Sequence, residues 1–282
     1  MRCAWQAYLN LLPPSMRKQV DDLGKDSLQE LRLRIDRPPE LISANGSVFL
    51  EAAVTVDDLN YCVNAASRYS PWSSATIASG YITAQGGHRV GVCGDVAIVN
   101  GKISTIKNLT SLCVRVARDF PGIGLKAAKG KGSVLLIGSP GRGKTTLLRD
   151  IIRQKSNENH GAVAVVDERR ELFPVAENGF CFSPGQCTEV LSGCSKAAGL
   201  EMLIRTMNPR WIAVDEITAA EDCEALIHAS WCGVSLLAAA HAENLHDLMH
   251  RPVYAPLVSG GVFENIIVMQ PDKSWRLERM NV

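Results

Sequence analysis

The fold is decided by residues 133–150, which read Ser-Val-Leu-Leu-Ile-Gly-Ser-Pro-Gly-Arg-Gly-Lys-Thr-Thr-Leu-Leu-Arg-Asp. The apolar run 133–137 is typical of a strand that is buried on both faces of a sheet. A glycine-rich turn follows at 138–143, and Lys144 begins a helical pattern. In that setting backbone N–H groups turn inward, and the N-terminus of the helix adds its partial positive charge. The stretch predicts a phosphate-binding loop, the alternative being an accidental glycine-rich turn.

Side chains of this loop predict the ligand. Lys144 is expected to reach the β- and γ-phosphates of a nucleoside triphosphate, and the Thr145 hydroxyl is expected to ligate Mg²⁺. We therefore predict ATP and Mg²⁺ as the cofactors. The residues expected to hold the nucleotide are Gly138, Ser139, Pro140, Gly141, Arg142, Gly143, Lys144, Thr145 and Thr146.

An acidic segment further along the chain points to hydrolysis of that nucleotide. Residues 211–216 read Trp-Ile-Ala-Val-Asp-Glu, an apolar strand that delivers two carboxylates at its carboxyl end. Ligands of open α/β sheets bind at that edge. Asp215 is expected to hold Mg²⁺ through water, and Glu216 is expected to orient or deprotonate the attacking water. Acids at strand ends also commonly face solvent, which is the alternative for this pair.

Three further candidate residues follow apolar runs of the same half. Asp167 and Glu168 follow the run 162–166, and His241 follows the run 234–240, so all three are expected near one sheet edge. The acids also fit a solvated run of charges, and this alternative stays open. A lone histidine at a strand end is more often a structural, hydrogen-bonded residue. The other role open to His241 is sensing of the γ-phosphate.

The rear half of the chain predicts the fold class. Continuous apolar runs at 133–137, 162–166, 211–214 and 234–240 are separated by helical stretches. Such runs are typical of strands in a parallel sheet that is covered on both faces. We predict an α/β domain with a parallel sheet over residues 133–282.

The front half has a different pattern. Residues 30–35 alternate polar and apolar side chains, which is the period of a half-buried strand. Further strands are expected at 47–50, 89–92, 96–99 and 113–117. One helix is expected at 56–68. Residues 119–132 are rich in glycine, proline and lysine, as linkers often are. We predict a smaller α+β domain at 1–118, joined by this linker to the rear domain.

Composition argues against several classes of function. The chain of 282 residues has a formal net charge of +1, which does not favour a nucleic-acid partner. No two of its 9 cysteines have the C-x2-C spacing of a zinc site, so no zinc is expected and reduced thiols are favoured. No apolar run approaches the roughly 18 residues that span a bilayer, and the N-terminus does not resemble a signal peptide. We expect a cytoplasmic protein, with membrane attachment only through partners.

Five segments carry a family resemblance. They are residues 30–41, 138–150, 165–172, 188–199 and 204–217. Together they resemble the stage III sporulation protein AA family, which is similar to the type II and type IV secretion ATPases. The most specific segment, 188–199, reads Thr-Glu-Val-Leu-Ser-Gly-Cys-Ser-Lys-Ala-Ala-Gly. The resemblance covers most of the chain.

The resemblance implies a RecA-like ATPase domain behind a smaller N-terminal domain, working as a homo-hexameric ring. It places Asp167 and Glu168 on an acidic box of the family and His241 on a histidine box. It also implies that Arg89 and Arg115 lie near positions from which the N-terminal domain presents arginines to nucleotide. The implied task is to energise the channel between mother cell and forespore from the mother-cell cytoplasm, with membrane proteins of that channel as partners.

Two positions depart from the family pattern. Thr218 stands where glycine is usual, and residues 240–243 read Ala-His-Ala-Glu in place of Thr-x-His-Gly. Neither change removes a group expected to bind phosphate or Mg²⁺. Both affect the expected sensing of the γ-phosphate.

The sequence leaves more than one function open. The first is an ATP-hydrolysing motor, and the second is a nucleotide-gated, weakly hydrolysing assembly platform for the same membrane complex. The third is a nucleic-acid ATPase, which is disfavoured because the chain ends at Val282 without an evident appended domain. A small-molecule kinase is also disfavoured, because nothing marks a substrate lid.

Overall fold

The chain divides into two units in the computed structural model. The structure describes residues 1–67, 78, 80–158, 161–176 and 179–279. The first unit comprises Met1–Asp119 and Pro174–Phe182, and the second comprises Phe120–Phe173 and Ser183–Val282. Each unit has a sheet and a hydrophobic core of its own.

The first unit is built on an antiparallel sheet. Among the described residues its strands are β1 (Leu28–Arg34), β2 (Glu40–Ser43), β3 (Gly46–Phe49), β4 (Tyr81–Thr83), β5 (Arg89–Val99) and β6 (Lys102–Arg115). They lie in the order β3-β2-β1-β6-β5-β4, and every neighbouring pair is antiparallel. The strand predicted at 30–35 corresponds to β1, in which Leu31 and Leu33 are buried while Arg32 and Arg34 are half-buried.

Strands β5 and β6 form one long hairpin. Its two-residue turn is Asn100-Gly101, with φ values of 52° and 73°, as the favoured hairpin turns require. A bulge between Cys93 and Asp95 interrupts the pairing of the two strands. The two runs predicted at 89–92 and 96–99 are therefore parts of a single strand.

Helices and a 3₁₀ turn complete this part of the first unit. In the described ranges they are Trp5–Asn10, Pro14–Leu23, Val56–Ser67 and the turn Gln85–Gly87. The helix predicted at 56–68 begins after Thr55, whose hydroxyl accepts the N–H of Asp58 while Asp58 accepts the N–H of Thr55. This reciprocal pair is a capping box and explains where the helix starts.

The second unit is built on a mostly parallel sheet. In the part of the chain that the structure describes, its strands are β7 (Val134–Ile137), β8 (Val163–Asp167), β11 (Thr188–Ser192), β12 (Trp211–Ile217), β13 (Ser235–Ala240), β14 (Asn265–Met269) and β15 (Trp275–Arg279). They lie in the order β11-β8-β12-β13-β7-β14-β15, and β15 is antiparallel to its neighbour. The four predicted apolar runs are β7, β8, β12 and β13, whose carboxyl ends lie at the same edge of the sheet.

The helices of this unit lie before and between its strands. In the described ranges they are Leu125–Ala128, Lys144–Asn157, Lys196–Met207, Ala220–Trp231, Leu245–His250 and Ala255–Ser259. Ser195 caps the helix Lys196–Met207 by accepting the N–H of Ala198. Across all described residues, none of the helices combines the length and the apolar character that a membrane span needs.

The segment predicted as a linker, 119–132, belongs to the second unit from Phe120 onward. The carboxylate of Asp150 accepts the N–H groups of Gly122 at 2.9 Å and Gly124 at 2.7 Å. A Cβ on Gly124 would come within 2.7 Å of the backbone of the helix that carries Asp150. The glycines of this segment therefore permit close packing, which composition alone does not distinguish from flexibility.

A short excursion of the chain, Pro174–Phe182, belongs to the first unit. It contains β9 (Val175–Ala176) and β10 (Gly179–Phe180), which pair antiparallel. The ring of Phe182 packs closely on Gly87, where a Cβ would come within 2.9 Å of it. The sequence-based boundary places these residues in the rear domain and is wrong here, because no pattern of apolar residues signals that the chain returns to the first unit.

Candidate nucleotide-binding site

The predicted phosphate loop lies between β7 and the helix Lys144–Asn157. Gly141 and Gly143 have φ values of 77° and 93°, which glycine adopts without a steric penalty. A Cβ on Gly141 would meet no atom within 4 Å, so the backbone conformation and not a lack of space requires glycine there. Gly143 is the N-cap of the helix, so the free N–H groups at the helix start face the loop.

Lys144 is held inside this loop. Its ammonium group donates to the carbonyl oxygens of Gly138 at 2.7 Å and Ser139 at 3.1 Å. Burial lowers the pKa of Lys144, and the carboxylates of Glu216 and Asp215 oppose that shift. The loop thus places one cation beside the two acids of β12.

The Thr145 hydroxyl joins the phosphate loop to the acidic segment, because it donates to Oδ1 of Asp215 at 3.3 Å. Asp215 lies at a bulge of β12, where one extra residue separates Ala213 from Glu216 relative to β13. A bulge redirects the side chains that follow it. Two motifs 70 residues apart in sequence therefore meet at the sheet edge.

Asp215 lies in a crowded, acidic environment. Burial, followed by the charges of Asp167 and Glu216, raises the pKa of Asp215 to about 6. The hydrogen bond from Thr145 and the charge of Arg149 oppose this rise. A divalent cation beside the carboxylate would favour its charged form and offset the repulsion.

The residues present fit Mg²⁺. Thr145 and Asp215 supply hydroxyl and carboxylate oxygens, the ligand type that this ion prefers. Within the described residues, no group of three or more histidine, cysteine, aspartate or glutamate side chains could hold a metal ion. Nucleotide sites usually hold Mg²⁺ through one or two protein oxygens together with substrate phosphates, so the two oxygens suffice.

His241 follows β13 and connects Lys144 to Glu216. Its Nδ1 lies 2.9 Å from Nζ of Lys144, and its Nε2 contacts the carboxylate of Glu216. Because an ammonium group can only donate, Nδ1 accepts, and the ring proton lies on Nε2 and is donated to Glu216. This tautomer fixes the orientation of the Glu216 carboxylate.

The two acids after β8 have different partners. Asp167 is fully buried, and its two oxygens accept the N–H groups of Glu171 and Phe173, both at 2.8 Å. Burial raises the pKa of Asp167, and the bonds from the backbone oppose the rise. Glu168 is more exposed, and its Oε2 lies 2.5 Å from Nζ of Lys196. Both carboxylates therefore have defined protein partners.

The two arginines singled out by the resemblance lie in the first unit. Arg89 of β5 and Arg115 of β6 are direct cross-strand partners. The Arg89 guanidinium lies 3.8 Å from the centre of the Tyr81 ring, and Nε of Arg115 lies 3.5 Å from Glu30. Because they are cross-strand partners, the side chains of Arg89 and Arg115 lie on the same face of the antiparallel sheet and place two guanidinium groups there. Its role at a nucleotide stays a prediction.

Several residues that build the second unit's sheet edge were not predicted. Arg149 donates to a backbone carbonyl of the turn after β8 at 2.6 Å and so ties that turn to the helix after the phosphate loop. Lys196 is buried between Glu168 and Asp222. Lys196 lies in segment 188–199, the most specific segment of the family resemblance. That location is the one feature of the sequence that could have marked Lys196 as a site residue.

A family model described as "Sporulation stage III, protein AA" matches residues 5–276. The chain belongs to this family. The curated "Stage III sporulation protein AA" of Bacillus subtilis (strain 168) is 36% identical over 276 residues, which cover 93% of this chain and 90% of that protein. The resemblance inferred from the motifs is thereby confirmed.

Solved structures of other proteins share the fold. The pilus retraction motor PilT with bound ADP has a TM-score of 0.61 at 16% identity, over 95% of this chain and 83% of its own. The ATPase DotB of Yersinia pseudotuberculosis has a TM-score of 0.60 at 15% identity, over 94% of this chain and 77% of its own. At such identities the likeness shows the fold alone. The predicted class, a RecA-like α/β domain with a parallel sheet that is preceded by a smaller α+β N-terminal domain, is confirmed.

Proposed function

We propose that the protein binds ATP with Mg²⁺ and hydrolyses it. The supporting observation is the meeting of Thr145, Asp215 and Glu216 at the carboxyl edge of the parallel sheet. Lys144 and His241 connect the same edge to the phosphate loop. Membership of the family and the fold shared with the pilus retraction motor PilT, whose structure holds ADP, agree with this function.

Nucleotide binding is assigned to the phosphate loop. Backbone N–H groups of residues 138–146 other than Pro140, together with the ammonium group of Lys144, would hold the β- and γ-phosphates, aided by the positive potential of the helix start. Thr145 and Asp215 would hold Mg²⁺. When bound, that ion neutralises charge on the phosphate oxygens.

Hydrolysis is assigned to Glu216. A carboxylate beside the metal-binding Asp215 can orient a water molecule and accept its proton. His241 holds that carboxylate through its Nε2 proton, and its other ring nitrogen contacts Lys144. His241 is therefore the residue through which occupation of the phosphate loop would reach Glu216, which is the sensing role proposed for it.

The remaining candidates are assigned supporting roles. Asp167 shapes the turn after β8 through its two hydrogen bonds from the backbone, and its charge contributes to the raised pKa of Asp215. Glu168 supports the site through its ion pair with Lys196. Arg89 and Arg115 are proposed to stabilise negative charge on the nucleotide as cationic groups of the first unit.

The cellular role is proposed from family membership. We place the protein as a homo-hexameric ring on the mother-cell side, where it would energise the channel between mother cell and forespore with the membrane proteins of that channel. Mass in solution with a non-hydrolysable ATP analogue tests the ring. A hexamer is expected, and a monomer under all conditions would contradict the ring.

A nucleotide-gated platform that hydrolyses little is the second candidate. The observation in its favour is that Glu216 is already engaged by His241, whose ring also contacts Lys144. Such a connected set of side chains could report nucleotide binding without rapid turnover.

Steady-state turnover of ATP with Mg²⁺ separates the two candidates. A motor is expected to exceed the Lys144→Ala variant about 100-fold or more, because the variant lacks the cation that holds the phosphates. Lys126→Ala removes an exposed lysine of the same unit and is the matched control, expected to behave as wild type. Wild-type turnover equal to that of Lys144→Ala, with the analogue still bound, would favour the platform. Failure of the wild type to bind the analogue would contradict both.

A further inference from the structure

Lys196 is a buried lysine between two carboxylates. Only 4% of the residue is exposed, and its Nζ lies 2.5 Å from Oε2 of Glu168 and 3.4 Å from Oδ2 of Asp222. A buried ammonium group is costly unless it is paired, and an apolar side chain of similar size is often equally stable. The two carboxylates offset the cost of burying the ammonium group of Lys196. Because an apolar side chain could be equally stable there, the role of Lys196 lies in the two segments that it links.

The two carboxylates belong to segments that follow neighbouring strands. Glu168 comes directly after β8. Asp222 lies in the first turn of the helix Ala220–Trp231, which follows β12. Since β8 and β12 are adjacent and parallel, Lys196 joins two segments at the edge where the acids of β12 lie.

Asp222 carries this contact to the end of β12. Its Oδ2 accepts the N–H groups of Thr218 at 2.9 Å and Ala219 at 3.2 Å. Thr218 directly follows β12 and lies two residues after Glu216. The oxygen that faces Lys196 therefore also holds the backbone that carries Glu216.

We propose that Lys196 is a positioning residue for hydrolysis, which acts through Asp222 and Thr218 to hold Glu216 in its working orientation. This inference rests on the proposed ATPase function. Without the lysine, the carboxylates of Glu168 and Asp222 lose the cation between them, so the segment that Asp222 holds after β12 is no longer tied to Glu168. The effect is expected on the chemical step and not on nucleotide affinity, because the ion pairs of Lys196 are with these two carboxylates.

Steady-state kinetics of Lys196→Met test this role, since methionine has a similar length and no charge. We expect kcat to fall about tenfold, with KM for ATP and Kd of a non-hydrolysable analogue changed less than about threefold. Lys196→Arg keeps a cation between Glu168 and Asp222 and is therefore expected to retain kcat within about threefold of wild type. This rescue separates the charge of Lys196 from its packing.

Lys155→Met is the matched control. Lys155 is 5% exposed in the same unit, but it donates to Gly130 and lies over the ring of Trp211, the first residue of β12, at the opposite edge of the sheet. Its loss is expected to lower the unfolding temperature and leave kcat unchanged. A fall in kcat equal to that of Lys196→Met would overturn the inference, because any buried lysine would then have the same effect.

Asp222→Asn supplies a second test that does not require Lys196→Met to fold. It removes the charge that faces Lys196 and is expected to show the same fall in kcat at unchanged KM. The double variant of Lys196→Met with Asp222→Asn should lose no more than the poorer single variant, because both act on one path. If the losses in kcat of the two single variants multiplied in the double variant, Lys196 and Asp222 would act independently, and the proposed path would be overturned.

The outcomes also separate this inference from the proposed function. Normal wild-type turnover with unchanged kcat in both Lys196→Met and Asp222→Asn would overturn the role of Lys196 alone. A rise in KM at unchanged kcat would overturn it too, because Lys196 would then act on binding. Wild-type turnover no higher than that of Lys144→Ala would overturn both proposals.

Discussion

In the part of the chain that the structure describes, the first unit buries the polar side chains of His88 and Asp119, whereas the second unit buries a much longer series. Among the described residues that series comprises Ser133, Lys144, Arg149, Asp150, Arg153, Lys155, Ser156, Asp167, Lys196, Asp222 and Asn265. Antiparallel strands can be joined by tight turns, but parallel strands need crossovers, and the segments that follow them meet at one edge. Topology therefore gathers part of this series at one edge of the second unit's sheet, namely Lys144, Asp167, Lys196 and Asp222.

His88 shows how the first unit satisfies a buried polar group. Its Nδ1 accepts the N–H of Ala117 at 3.0 Å, and its Nε2 donates to the carbonyl of Ala4 at 2.9 Å. Both partners are backbone groups, so the ring ties the N-terminus to the segment after β6. A buried imidazole with this pattern serves the fold, whereas Lys144 and Asp215 serve the proposed chemistry.

The contrast between buried groups that serve the chemistry and buried groups that serve the fold is tested most strongly by Asp215→Asn. Turnover is expected to fall about 100-fold or more, because the variant loses the charged Mg²⁺ ligand. The unfolding temperature is expected not to fall, because the carboxylate is crowded by those of Asp167 and Glu216. Asp150→Asn is the matched control, since Asp150 accepts two backbone N–H groups and pairs with Arg153. Equal thermal destabilisation of the two variants would remove the distinction between functional and structural acids.

The pH dependence of stability tests the first unit. Burial lowers the pKa of His88 from 6.5 to about 4, so the unfolded chain binds more protons between these values. Stability is therefore lost as pH falls through this window, by about 2 kcal/mol between pH 7 and pH 5. Hydrogen exchange of β6 amides at the two pH values measures it. His88→Gln should lack this contribution, and the same pH dependence in both proteins would contradict the assignment.

The smallest effect is expected from a pair of histidine variants, one in each unit. His241→Ala should lower turnover about tenfold, because Glu216 loses the group that orients it, with little change in stability. His88→Ala should destabilise the first unit by about 2 kcal/mol, with turnover per folded molecule unchanged. Turnover and thermal unfolding of both variants check this, and the reverse pattern would contradict the division between the units.

The central strands of the second unit were predictable because a strand buried on both faces reads as an unbroken apolar run. Strands β7, β8, β12 and β13 all have this character. The edge strand β15 does not, because most of its side chains are exposed. The excursion Pro174–Phe182 was not predictable either, since its place depends on tertiary contacts such as that of Phe182 with Gly87.

Candidate site residues were predictable where the neighbouring residues in sequence indicate their role. Lys144 and Thr145 follow a glycine turn at a helix start, and Asp215 and Glu216 end an apolar strand. Partners that depend on the tertiary fold were not predictable. Lys196 lies 28 residues from Glu168 in sequence, and their ion pair follows from the adjacency of β8, β11 and β12.

The central claim, that Glu216 at the parallel edge carries out hydrolysis, is tested most directly by Glu216→Gln. ATP turnover with Mg²⁺ should be measured beside the Kd of a non-hydrolysable analogue. We predict a Kd within about twofold of wild type and a turnover reduced about 1,000-fold, because glutamine cannot accept the proton of water. Unchanged turnover in the variant, or loss of binding as complete as in Lys144→Ala, would contradict the claim.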